Sequence, residues 1–233
     1  MTAAGVYSSP PGAATALAPR LGPAWLRLAR LYAASRRVPA ALALLAGLGV
    51  LLWAALHWHW NIAGGNAARQ FIPLVIETGA AAVIAVTTYG PFGESERATG
   101  QWLPWLRLGA AAALTAAAVG VLAAGASGGY LPGGSLALLR NVAGITGTGL
   151  LTAVVAGGAF AWAGPMAYVL VTEVALTGNP TTPWIWPGRP THDLGAALCA
   201  TGVLAAGLVF ITLRGARVSP ASDDAGCARP AGH

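Results

Sequence analysis

The stretch NVAGITGTGLLTAVVAGGAFAWAGPMAYVLVTEVAL, residues 141–176, carries a single charged side chain, Glu173. A helix needs about 20 apolar residues to cross the hydrocarbon of a bilayer, with a range of roughly 17–25. The stretch is too long for one crossing and too apolar for a solvated loop. Gly164-Pro165 punctuates it, which predicts two antiparallel helices joined by a tight turn at that point. The second of the pair is short, because Gly178-Asn179-Pro180 closes it.

Working outward, four more apolar runs have the same character. They extend over about Pro39–Trp58, Phe71–Tyr89, Leu106–Ala126 and Leu194–Leu213. Gly90-Pro91 breaks the second, and the turn-rich Ser127–Gly134 segment ends the third. Six crossings result, so the chain is expected to be all-α and polytopic, with its transmembrane domain over 38–214. Composition demands the same class. Hydrophobic residues make up 56% of the 233 and charged ones 9%, against roughly 25% charged in a soluble domain. So few charges cannot coat a soluble globule, and so apolar a chain cannot stay unfolded. Residues 1–19 read as a Pro/Ala/Ser-rich disordered tail rather than a signal peptide, and 215–233 as a disordered polar tail.

The chain has thirteen arginines and no lysine, for a net charge of +6. They are spread between apolar runs rather than gathered in a stripe, which argues against a nucleic-acid partner and for topology. With six crossings, Arg20, Arg27, Arg30, Arg36, Arg37, Arg97, Arg107, Arg214, Arg217 and Arg229 fall on one side. Arg69, Arg140 and Arg189 fall on the other. Cytoplasmic segments carry the arginine excess, so both termini are expected inside, in a plasma-membrane protein. Trp53, Trp58, Trp60, Trp102, Trp105, Trp184 and Trp186 cluster near span ends and suit interface anchors.

Residues 20–37 suggest a helix lying on the inner membrane surface, with Arg27, Arg30 and Arg37 on one face. The alternative is that these arginines only fix orientation. In the loop between spans two and three, Glu94, Glu96 and Arg97 concentrate charge in a chain that otherwise avoids it. Such an element suits docking to a soluble partner, and an ordinary solvated loop is the alternative. Glu77 and Glu173 are the acids inside spans; each is functional, or else neutral or bonded to a threonine such as Thr78 or Thr172. His57 and His59 sit on different faces of a helix and cannot share one metal. Cys199 and Cys227 lie in unlike surroundings and are not expected to pair. With no catalytic or ligand spacing of His, Asp, Glu or Cys, no enzyme activity, metal or cofactor is expected.

The Gly-Glu-Ser-Glu-Arg loop ending at Arg97, the Leu-Pro-Trp-Leu-Arg107 run before span three and the Leu-Leu-Arg-Asn141 run before span four resemble those of actinobacterial membrane proteins of the type-two ABC exporter permease kind. The resemblance covers about Arg27–Arg217. It implies six spans after an inner-surface helix, both termini inside, pairing of two permease subunits as a homo- or heterodimer, and a separate ATP-binding subunit. It also implies that Glu94, Glu96 and Arg97 contact that ATPase, and that Thr177–Asp193 occupies the place of an outer segment able to re-enter the membrane. The chain lacks a lysine for a phosphate-binding loop, so ATP-driven work needs another chain. Gly144-Ile-Thr-Gly-Thr-Gly149 lies in an apolar run with no preceding strand and is read as close helix packing. Two rival classes remain: a non-transporting membrane anchor or scaffold, and a proton-coupled carrier with Glu77 or Glu173 on the proton route.

Overall fold

The computed structural model describes residues 34, 37–57, 65–88, 103–131, 133–177 and 182–214. The tails 1–19 and 215–233, the surface helix expected at 20–37 apart from residues 34 and 37, and the loop bearing Glu94, Glu96 and Arg97 lie outside these residues. Among the described residues all regular structure is helical. The six α-helices are α1 (Val38–His57), α2 (Gly65–Thr87), α3 (Leu103–Gly125), α4 (Gly134–Val155), α5 (Ala163–Thr177) and α6 (Leu194–Arg214). Short 3-10 turns, Gly158–Phe160 and Trp186–Gly188, precede α5 and α6.

Lipid as the solvent follows from what the helices leave uncovered. Leu44 and Val50 on α1, Leu170 and Val174 on α5, and Leu198 and Leu213 on α6 are all exposed on the outside of the bundle. An exposed apolar girdle of that kind is unsustainable in water and natural in hydrocarbon. Five helical segments are long and apolar enough to cross a bilayer, the fourth of them being α5 together with the 3-10 turn before it. The apolar part of α2, Phe71–Thr87, is shorter. The chain is an all-α, multi-pass membrane protein.

Contacts at the helix ends establish the up-and-down order. Val38, Thr87, Arg107 and Ile211 line one crevice, so the start of α1, the end of α2, the start of α3 and the end of α6 share one end of the bundle. Arg37 and Arg214 lie at that end too, making it, with Arg107, the arginine-bearing end. At the opposite end, the stretch after α3 approaches the last turn of α1, where Gly129 nears Leu56 and Gly128 nears His57. Each helix therefore runs against its predecessor, and α2 spans the bundle despite its shorter apolar part.

The paired crossing of 141–176 is present, with its turn displaced. The fourth helix starts at Gly134 rather than Asn141 and ends at Val155, and the chain reverses over Ala156–Trp162. Gly164-Pro165 lies in the first turn of α5. Proline is tolerated there because the N–H it lacks has no intrahelical acceptor. The reversal is made by Gly157, at φ 95° and ψ 160°, a backbone region open essentially to glycine alone.

At the centre stands α4, touching every other helix except α1 extensively and lined by buried residues on nearly all sides. Its glycines set the approach distances, as the packing reading of Gly144–Gly149 anticipates. A methyl group on Gly147 would come within 2.6 Å of the Leu204 backbone nitrogen on α6. Gly207 of α6 faces Gly147 in turn. Gly149 accommodates Ala85 of α2 and Pro165 of α5. Backbones this close are the membrane route to tight packing, where dispersion contacts replace a hydrophobic driving force between helices.

Candidate functional site

Two polar residues stand side by side within α4. Arg140 begins six residues into the helix, roughly 9 Å along its axis at 1.5 Å per residue, and is 6% exposed. Its Nη1 donates to the Pro190 carbonyl at 2.8 Å and its Nη2 to the Arg189 carbonyl at 3.0 Å. These carbonyls belong to the segment that returns from α5 to α6. Further bonds hold the same segment down. The Thr191 hydroxyl donates to the Gly133 carbonyl at 2.9 Å, and the Tyr168 hydroxyl of α5 to the Trp184 carbonyl at 2.8 Å.

Trp186 drives into the bundle from this segment. Its indole stacks on Tyr168 with ring centres 4.4 Å apart and planes 20° from parallel. It fills the space above Gly144, where even a methyl group would collide with the ring. With 2% of its surface exposed, Trp186 is a core residue, not the interface anchor that its place in a loop suggests. Trp184 is exposed and fits that anchor role better.

The segment ends in its own ion pair. Arg189 and Asp193 meet at 2.6 Å, and Asp193 Oδ1 accepts the Ala196 backbone N–H at 3.1 Å. Asp193 thereby caps the N-terminus of α6, satisfying a donor that has no partner within the helix. That N–H, followed by the Arg189 guanidinium, holds the Asp193 carboxyl below the usual Asp range.

Glu77 lies below, at mid-length of α2, and is 3% exposed. Asn141 and Arg140 of α4 are the polar side chains that approach it. Thr78 and Thr172 are not its partners, since their hydroxyls donate to Leu74 and Val169 of their own helices. Several polar atoms of the cluster are buried without a partner: Glu77 Oε2, Asn141 Oδ1, Arg140 Nε and Trp186 Nε1.

Of the acids expected inside spans, the structure thus gathers one. Glu77 belongs to a cluster built from α2, α4, α5 and the returning segment. Glu173 is half-buried on α5 and is not among the charges acting on Glu77 or Arg140. Glu94, Glu96 and Arg97 lie outside the described residues. His57 stacks on Trp53 with its Nδ1 2.9 Å from the Trp53 carbonyl oxygen, a local contact within α1.

Arg140, Asn141, Tyr168 and Trp186 are the members to which sequence reasoning gave no place in a site. Starting the fourth span at Asn141 turned Arg140 into a loop residue. The usable signal was the Arg-Asn pair itself, flanked on both sides by Leu, Val and Ala. Among the described residues no group of three or more His, Cys, Asp or Glu is placed to hold a metal. The arrangement suits holding a backbone segment against a helix bundle and keeping a polar patch out of contact with lipid. No protein-family model, curated protein or solved structure matches the chain.

Proposed function

We propose that the chain is the membrane-embedded permease subunit of an ABC-type exporter, driven by a separate ATP-binding chain. The observation that carries this reading is the segment 182–193. It follows the fifth helix and folds back so that Trp186 rests against Gly144 of α4, as the re-entering outer segment of such permeases is expected to do. Among the described residues the antiparallel helices are even in number, which adds support because the first and last helix ends come together at the arginine-bearing end. In this reading that end is cytoplasmic, the membrane is the plasma membrane, and two permease subunits form the pathway between them. ATP hydrolysis in the partner drives rocking between inward- and outward-open forms. Coupling requires the ATPase to bind the two forms with different affinity. Glu94, Glu96 and Arg97 are its contact, on the strength of the sequence alone.

Co-purification of the tagged chain with candidate ATPases tests the reading. Reversing the charges at Glu94, Glu96 and Arg97 should abolish association and transport while leaving the bundle folded. If no ATPase associates with the unaltered chain, the permease reading fails. If association and transport survive the reversal, the loop loses its role. One observation favours a second reading, a proton-coupled carrier: Glu77 is buried in the midst of the helices. Substrate uptake into proteoliposomes driven by a pH gradient, without any ATPase, would select it.

A further inference from the structure

Two of the unpartnered atoms under the returning segment are of the same kind. Glu77 Oε2 and Asn141 Oδ1 are both hydrogen-bond acceptors, both buried, and both without a donor. They belong to side chains that approach each other between α2 and α4. In an apolar interior each unmet acceptor carries a desolvation cost, larger for a charged group than for a neutral one. Nearby donors make no bond to either: two of the Arg140 nitrogens are spent on the Pro190 and Arg189 carbonyls, and Arg140 Nε and Trp186 Nε1 are themselves without a partner. The Thr78 hydroxyl is spent on Leu74.

A single proton resolves both deficits. On Glu77 Oε2 it converts an acceptor into a donor that can serve Asn141 Oδ1, while the Asn141 amide N–H can serve the other carboxyl oxygen. The result is a closed acid–amide pair with two hydrogen bonds and no net charge. We propose that Glu77 and Asn141 together bind one proton in this way, as a neutral clasp joining α2 to α4 within the membrane. The inference is independent of the transport reading, since the pair is present whatever the chain moves.

Among the surrounding charges, Arg140 works against it and favours a carboxylate at Glu77. Arg189 and Asp193 neutralise each other at the end of the returning segment. From α4, Arg140 faces the clasp; α5 offers Tyr168, whose hydroxyl is bonded to Trp184, and the half-buried Glu173. Between Val38 and Leu56, α1 has no ionisable side chain, and Arg107 of α3 is at the far end. The competing arrangement is a carboxylate at Glu77 turned toward the unpartnered Nε of Arg140.

Infrared difference spectroscopy of the purified full chain, wild type minus Glu77→Gln, separates the two at neutral pH. The proton clasp gives a carboxylic-acid C=O band that moves in D2O and shifts again in Asn141→Leu. A carboxylate band instead, or an acid band indifferent to Asn141→Leu, overturns it. Melting in detergent gives a check that needs no spectral assignment. Glutamine reproduces both hydrogen bonds through its own amide, so Glu77→Gln should melt close to wild type and Glu77→Leu well below it. A Glu77→Gln variant that melts as low as Glu77→Leu would show that the charge is needed, and would also overturn the proposal.

Discussion

The helices α1 and α4 are nearly equal in length, 20 and 22 residues, yet they occupy opposite situations. The more apolar of the two is α1, and only 22% of its spanning window is buried within the protein. For α4 the figure is 72%. In water the ranking would be reversed, because the most apolar segment would be drawn inside. In a bilayer, lipid tails satisfy leucine as well as another helix does, so apolarity marks the face turned outward. What marks the inside is the content of glycine and of groups lipid cannot satisfy: Gly144, Gly147 and Gly149, with Arg140, Asn141 and Thr146. The contrast teaches that the centre of this bundle is chosen by backbone approach and polar satisfaction, not by hydrophobicity.

Leucine substitutions at paired glycines give the sharpest break in that contrast. At Gly147 the added side chain meets the backbone of Leu204 and Val203, which has nowhere to go without parting α4 from α6. Overpacking of this kind costs on the order of 3 kcal/mol, and Gly147→Leu should abolish the monodisperse peak in detergent gel filtration. On α1, Gly47 has nothing within 4 Å of where a Cβ would stand. Gly47→Leu should alter stability by less than about 0.5 kcal/mol. Equal tolerance at both positions would remove α4 from the centre.

Tryptophans extend the comparison to the end that carries the returning segment. Trp53 of α1 stacks on His57 but keeps half its surface exposed, whereas Trp186 is enclosed over Gly144. Truncating an enclosed Trp costs about 3 kcal/mol or more, through lost contact and the cavity left behind. Trp186→Ala should therefore lower the melting temperature far more than Trp53→Ala. A smaller effect is expected of Arg140→Met, which keeps the bulk but strips two carbonyls of charged donors, at about 2 kcal/mol. Its signature is local: amide hydrogen exchange should quicken over 182–193 while α1–α3 stay protected. Uniform quickening would mean that Arg140 supports the whole bundle and not the segment.

The number and alternation of the helices were legible because long apolar runs are one-dimensional signals. The turn inside 141–176 was misread because Gly164-Pro165 is a stronger visible break than Ala156-Gly157. Proline at a helix start and proline in a turn look alike until the backbone is known. Glu77 was legible as a buried acid, since any carboxylate inside a span stands out, but its partner was not. Asn141 lies sixty-four residues away in sequence, and nothing in local spacing links the two. Trp186 was hidden for a related reason. Loop tryptophans usually sit at the headgroups, and only the absence of a side chain at Gly144, on another element, lets this one enter the bundle.

The least perturbing test concerns how the returning segment joins α6. Asp193 accepts the Ala196 N–H and pairs with Arg189, and both interactions require or prefer the ionised carboxyl. Its pKa in the folded chain lies below the usual value of 3.8, chiefly through the Ala196 N–H and then through Arg189. Below that usual value the unfolded chain takes up the proton first, so the stabilisation is fully present above it. It is lost as pH falls through the folded pKa. Asp193→Asn keeps a capping oxygen and removes the charge, while Asp193→Ala removes both. The melting temperature at pH 7 should fall slightly for Asn and more for Ala. The gap between wild type and Asn should close in acid and shrink in high salt, since it reflects the ion pair. A gap that persists unchanged below pH 3.8 would assign the effect to packing at the start of α6 and detach Asp193 from the hold on the segment.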